Sequence, residues 1–145
     1  MLKTLDPLLN ADLLHVLQSM GHGDELAIVD RNYPARSTAR RLVRLDGADT
    51  SRAAKAIFSV FPLDTFVEPA LVRMQVVGNP DEVTPVQRAF HAIAEAAEGR
   101  DVVMGGLERF AFYERARSAF AVVATSEARP YGCFLLVKGV IPASR

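Results

Sequence analysis

Histidine is the side chain best suited to exchange protons near neutral pH, and this chain displays one between two glycines, in Gly21-His22-Gly23-Asp24. The glycines permit a tight turn and let another group approach the backbone. A plainer reading competes, in which Gly21 caps a helix and His22 is a surface loop residue. Asp30 ends the apolar run Leu26-Ala27-Ile28-Val29, the kind of position where open α/β folds place ligands. Its carboxylate can accept hydrogen bonds from two neighbouring hydroxyls, or it can simply open a turn ahead of Asn32 and Pro34. In Arg109-Phe110-Ala111-Phe112-Tyr113-Glu114-Arg115, Arg109 offers a fixed fork of donors and Tyr113 a phenol on an apolar face. The alternative is core aromatics flanked by solvated arginines. In Tyr131-Gly132-Cys133 the tyrosine can stack on a ligand's C–H face or bond a hydroxyl, or the tripeptide is only the turn into a strand with an inert cysteine. Cys133 has no histidine or acid pattern that would make it a nucleophile. His15, on the polar side of a helix, and His91, inside another, read as structural or solvated.

The elements that must position these groups follow from punctuation and periodicity. Asn10 caps a first helix with Asp12 in its first turn, Leu13, Leu14, Leu17 and Met20 form its apolar stripe, and Gly21 is placed to stop it in a left-handed conformation. Leu26 to Val29 is a buried strand, a polar loop runs from Arg31 to Arg41, and Leu42 to Leu45 is another short strand. Asp49 or Thr50 caps a second helix to about Val60, with Ala54, Ile57, Phe58 and Phe61 inward and Pro62 beyond its end. Leu71 to Val77 has strand character, closed by Gly78-Asn79-Pro80. Thr84-Pro85-Val86-Gln87 is a capping-box helix start, and that helix ends at Gly99. Phe110 to Arg117 is a short helix. Ala119 to Ala124 and Cys133 to Val137 are strands apolar enough to lie centrally in a sheet. This alternation predicts an α/β fold over 1–145: a single compact domain, a central sheet with helices packed on it.

Composition narrows the function. The 145 residues suffice for a core without staples, and 17 Lys plus Arg balance 17 Asp plus Glu. Zero net charge and no basic stretch interleaved with aromatics argue against nucleic acid as a partner. One cysteine rules out an internal disulfide and points to a reducing, cytoplasmic setting. There is no signal-like start and no apolar run near the roughly 18 residues of a membrane helix. The scattered histidines offer no metal cluster, and no dinucleotide fingerprint or phosphate loop implies a cofactor.

Taken together these segments resemble the L-fucose mutarotases, within the larger group that also holds the D-ribose pyranases. The likeness runs from Met1-Leu2-Lys3-Thr4 and Asp6-Pro7-Leu8-Leu9 through Met20-Gly21-His22-Gly23-Asp24-Glu25, Asp30, Pro34-Ala35, Asp46-Gly47 and Leu63-Asp64. Its strongest block is Arg109 to Ala116 followed by Ala119 to Val123, and Tyr131-Gly132 with Lys138-Gly139-Val140 closes it. The resemblance implies a compact α/β domain assembled into a ring-based homo-decamer, with sites near subunit contacts and a monosaccharide as ligand. It implies that His22 is the catalytic proton donor and Tyr113 a catalytic tyrosine. Asp30 and Arg109 would bind the sugar, and Tyr131, Gly132 and Cys133 would line its site. Two departures stand out: Cys133 replaces the family's usual asparagine, a much better hydrogen-bonding side chain than a thiol, and Arg36 replaces a histidine.

Mutarotation opens a hemiacetal ring and recloses it on the other carbonyl face. It needs an acid and a base but neither metal nor redox cofactor. The expectation is therefore an isomerase acting on L-fucose or a similar aldose. D-ribose pyranase activity is the near alternative, and a non-catalytic monosaccharide-binding protein is the alternative from another class.

Overall fold

A computed structural model describes residues 1–143. Six strands form one sheet, β1 (Glu25–Val29), β2 (Leu42–Leu45), β3 (Leu71–Met74), β4 (Met104–Leu107), β5 (Ala121–Thr125) and β6 (Phe134–Val137), in the order β2-β5-β1-β6-β3-β4. β1, β2 and β5 are mutually parallel, β3 and β4 are parallel, and β6 runs antiparallel to both β1 and β3. Five strands thus point one way and β6 alone the other. The carboxyl ends of the five and the amino end of β6 share one edge of the sheet.

Helices α1 (Ala11–Ser19), α3 (Thr50–Phe58) and α4 (Pro85–Glu98) cover one face; α2 (Ala35–Thr38) and α5 (Arg109–Ser118) cover the other. Leu13, Ile28, Ile57, Phe90 and Phe134 fill the first core, with the Phe90 and Phe134 rings stacked at 3.8 Å. Val29, Val72, Phe112, Val122 and Leu135 fill the second. Successive strand residues therefore alternate between two buried faces, which is why the central strands read as continuous apolar runs. Burying both faces favours this arrangement by about 25 cal/mol for each Å² of apolar surface removed from water.

Local signals set most boundaries. Asn10 and Asp49 accept from the backbone N–H groups of Leu13 and Arg52. Thr84 and Gln87 form a complete capping box with Pro85 inside, and Gly99 closes α4 at φ 68°.

The structure departs from expectation at four places. The first helix ends at Ser19, Met20 is extended, and the left-handed glycine is Gly23, not Gly21. The stop comes from elsewhere: the Lys138 ammonium donates to the carbonyls of Leu17 (2.8 Å) and Met20 (2.6 Å), satisfying orphan acceptors at the negative end of the helix. The 31–41 loop contains α2. The third strand stops at Met74, because Gln75 to Asn79 fold back in a turn bridged between Val76 and Asn79. Finally, β4 is a strand that the sequence pattern hides. Its Met-Gly-Gly-Leu lacks β-formers, yet Gly105 is required, since a Cβ there would lie 2.5 Å from Pro69 Cγ.

Candidate active site

Asp30 follows β1 directly. Arg109 opens α5 after β4, and Tyr131 and Cys133 precede antiparallel β6. All four therefore fall at the same sheet edge, together with Tyr113 one helical turn beyond Arg109. These five side chains line one open cavity of about 260 Å³. Gly132 is buried just behind it, where a Cβ would meet Asp30 Cβ at 3.6 Å.

Arg109 donates through Nε to the Tyr113 hydroxyl at 3.1 Å, an i,i+4 contact along one helix face. That bond, with the nearby phenol, strengthens the hold of the Arg109 guanidinium on its proton. Edge-on contacts of the Tyr33 ring with Tyr113 (5.2 Å) and Phe112 (6.0 Å) brace the wall. Tyr131 adopts φ 63°, and its hydroxyl accepts from the Val77 N–H at 3.2 Å. Asp30 is 7 % exposed, with Oδ1 accepting from the Asn32 N–H at 3.0 Å. Burial, and then the Asp30 charge, push the Cys133 thiol up, so it stays protonated at neutral pH. An adjoining opening of about 400 Å³ shares Asp30 and Tyr33 and is rimmed by Arg31, Arg36 and Arg44.

His22 is absent from this cavity. It precedes β1, whereas Asp30 follows it, and five strand residues at about 3.3 Å each put roughly 15 Å between the two edges. At its own edge His22 meets a partner that sequence reasoning passed over. Its Nε2 lies 2.9 Å from Oδ1 of Asp64, while Phe66 packs on the imidazole at 4.9 Å. The Asp64 side chain is buried and that of His22 is 42 % exposed. Burial would raise the Asp64 carboxyl, but bonds from His22 and from the Phe66 and Val67 N–H groups outweigh it and hold it below the usual carboxylate range.

The local fold explains the pairing. The Gly23 N–H donates to the Lys138 carbonyl and the Lys138 N–H to the Asp24 carbonyl. On the other side Gly139 N–H donates to the Pro62 carbonyl, and Asp64 N–H to that of Val137. The end of β6 therefore lies between the two loops. Gly139 permits this, because a Cβ there would sit 2.8 Å from Asp64 Cα. No side-chain periodicity could have linked His22 to a residue 42 positions away. His15 is exposed, and His91 bonds the Val102 carbonyl; neither joins either cluster.

Among the described residues no group of three or more metal-ligating side chains forms, and no helix is long and apolar enough to cross a membrane.

The same fold and much of the same sequence recur in solved structures. A crystal structure of a candidate sugar-binding protein shares 52 % identity, covering 98 % of this chain and 97 % of that one, with a TM-score of 0.94. A fucose mutarotase from Streptococcus pneumoniae, crystallised with L-fucose, shares 36 % identity over 97 % of this chain and 100 % of its own, with a TM-score of 0.91. FucU from Bifidobacterium longum shares 38 % identity over 97 % and 100 %, with a TM-score of 0.90. The sequence profile of one family matches residues 3–141. The chain belongs to the RbsD / FucU transport protein family.

Proposed function

We propose that this protein is a sugar mutarotase that interconverts the α and β anomers of L-fucose or a closely similar aldose. The observation that carries the reading is the His22–Asp64 pair. A receptor has no need of an imidazole held by a buried carboxylate, whereas an acid–base catalyst does. Similarity to a fucose mutarotase supports the substrate class.

Ring opening breaks the bond between C1 and the ring oxygen. The ring oxygen gains a proton and the anomeric hydroxyl loses one as the carbonyl forms. Rotation about C1–C2 presents the other carbonyl face, and reclosure reverses both transfers. With Nε2 of His22 engaged by Asp64, Nδ1 is the nitrogen that moves the proton. Tyr113 handles the second proton or orients the anomeric hydroxyl. Asp30 and Arg109 hold the remaining hydroxyls, Tyr131 stacks on the sugar's C–H face, and Gly132 and Cys133 close the wall. Positioned acid–base groups supply about 10²–10⁴-fold, a suitable scale for a reaction that already proceeds slowly in water.

Because one chain holds His22 and the cavity at opposite edges, this mechanism needs a second copy whose His22 edge faces the cavity. Exposed apolar side chains at both edges support such a contact: Phe66, Val67 and Val103 beside His22, Val77 and Phe110 beside the cavity. The assembly is a homo-oligomer, a decamer by family likeness.

A second reading, a non-catalytic monosaccharide-binding protein, is favoured by one feature: the cavity has its hydroxyl-binding groups without His22. Magnetisation-exchange NMR separates the readings. Faster exchange between the α and β signals of L-fucose with catalytic amounts of protein, lost in His22→Ala, supports the mutarotase. Exchange only between pyranose and furanose signals of D-ribose would make it a pyranase. Binding without acceleration of either sugar would leave the receptor.

A further inference from the structure

We propose that Glu127 is a positioning residue of the sugar cavity, holding Asp30 and the Tyr131-Gly132-Cys133 segment in fixed relation to each other; this rests on the sugar-binding role proposed for those residues. Glu127 lies two residues beyond β5, is 3 % exposed, and does not line the cavity. Its carboxylate is turned away from the sugar side. Oε1 accepts from the Thr50 hydroxyl (2.9 Å) and from Nη2 of Arg129 (2.8 Å). Oε2 accepts from the Arg129 backbone N–H and from its Nε, each at 3.1 Å. Every strong acceptor direction is thus used by the first residue of α3 and by the loop itself. Such bonds to an ionised carboxylate are the stronger kind.

The rest of the residue faces the site. Its carbonyl accepts from the Arg31 N–H at 3.0 Å. Its N–H donates to the Thr125 hydroxyl (3.2 Å), which in turn donates to the Val29 carbonyl (2.8 Å). Both chain neighbours of Asp30 are thereby tied to Glu127. Its Cγ lies against Gly132, where a Cβ would come within 3.0 Å of it and 3.6 Å of Asp30 Cβ. A side chain at position 132 would thus crowd Glu127 and touch Asp30. On the opposite flank the buried Gln87 amide donates to the Tyr131 carbonyl at 3.0 Å, so the segment has an independent second support. Burial would raise the Glu127 carboxyl, but the Arg129 and Thr50 bonds prevail and bring it down to about 2. The clamp therefore stays ionised at neutral pH.

A residue that acts through others must change what they do. Arg129→Met removes the guanidinium from a half-exposed position and leaves the core intact, while Glu127→Gln removes the charge at the centre. L-fucose anomer exchange, followed by magnetisation-exchange NMR against sugar concentration, is expected to show KM raised roughly tenfold in Arg129→Met with kcat within about threefold. The ¹H–¹⁵N spectrum of the sugar-free variant is expected to show displaced Asp30 and Gly132 amide signals. Unchanged KM with unmoved Asp30 and Gly132 signals in Arg129→Met would overturn the proposal. So would a kcat falling with the folded fraction at constant KM, which is what a merely structural residue gives. If the wild-type protein accelerates no sugar exchange, the mutarotase reading fails, and the amide signals alone still decide whether Glu127 and Arg129 position Asp30.

Discussion

Asp64 Oδ1 lies 2.9 Å from His22 Nε2 across 42 residues of sequence, and Lys138-Gly139 is the segment that joins their two loops. In the proposed mechanism this carboxylate holds one imidazole nitrogen and leaves the other free for the sugar. Asp64→Asn is expected to lower kcat for anomer exchange by roughly 10²-fold while KM stays near wild type, as read by magnetisation-exchange NMR. An equal rise in KM would show that the pair holds substrate instead.

Gly139→Ala tests the same pair through the backbone. The new methyl would meet Asp64 Cα at 2.8 Å, and such overpacking costs about 1–3 kcal/mol. Thermal denaturation should report the loss of stability, and kcat should fall beyond the loss of folded protein, because relief of the clash moves Asp64 away from His22.

Complementation tests whether the two edges come from different copies. His22→Ala and Asp30→Asn are each expected to inactivate every site in a pure assembly. After co-refolding, a hybrid assembly pairs an intact His22 edge with an intact cavity edge at some contacts. Fucose exchange should then reappear at roughly a quarter of the wild-type level for random mixing across two-copy sites. No recovery in a demonstrated hybrid would remove the shared-site mechanism.

Cys133, in the wall of the proposed sugar cavity, can be tested for sugar choice and for reactivity. Burial and the Asp30 charge keep it a thiol, and thiolate is the reactive form, so a thiol reagent should modify the native protein only at its unfolding rate. Cys133→Asn supplies a hydrogen-bonding amide in place of the thiol. It should change KM for L-fucose relative to other aldoses, since hydrogen bonds to a sugar hydroxyl discriminate through the pairing they complete.

Acid stability follows from Glu127 and Asp64. Both carboxyls titrate below their ordinary range in the folded state, so the unfolded chain binds more protons and stability rises with pH. Their contribution is complete above the unfolded value of about 4.3 for a glutamate and is lost as pH falls toward about 2 for Glu127. Denaturant midpoints of Glu127→Gln should show a shallower slope across that window than wild type. An identical slope would show that the clamp contributes nothing to acid stability.

Much of the fold could be read from local chemistry. Asn10, Asp49 and the Thr84–Gln87 box act within three residues of themselves, and the apolar runs of β1, β5 and β6 reflect burial on two faces. Asp30, Arg109, Tyr113, Tyr131 and Cys133 each have a plainer reading in the sequence, the family resemblance singles them out together, and strand direction gathers them at one edge. Three things were hidden because they depend on distant chain. The stop of α1 is supplied by Lys138. β4 exists because Gly105 fits against Pro69. Asp64 meets His22 through loops that both hydrogen-bond to the end of β6. Periodicity carries no information about any of these.

The lone antiparallel strand ties both cores to a single register. In β6, Phe134 and Leu136 face one core while Leu135 faces the other. A slip of one residue against β1 would exchange the faces of every side chain it buries. The same slip would draw Cys133 out of line with Asp30 and carry Lys138 away from α1. A misregistered β6 would therefore lose both cores together with the contacts made by Cys133 and Lys138 at its two ends.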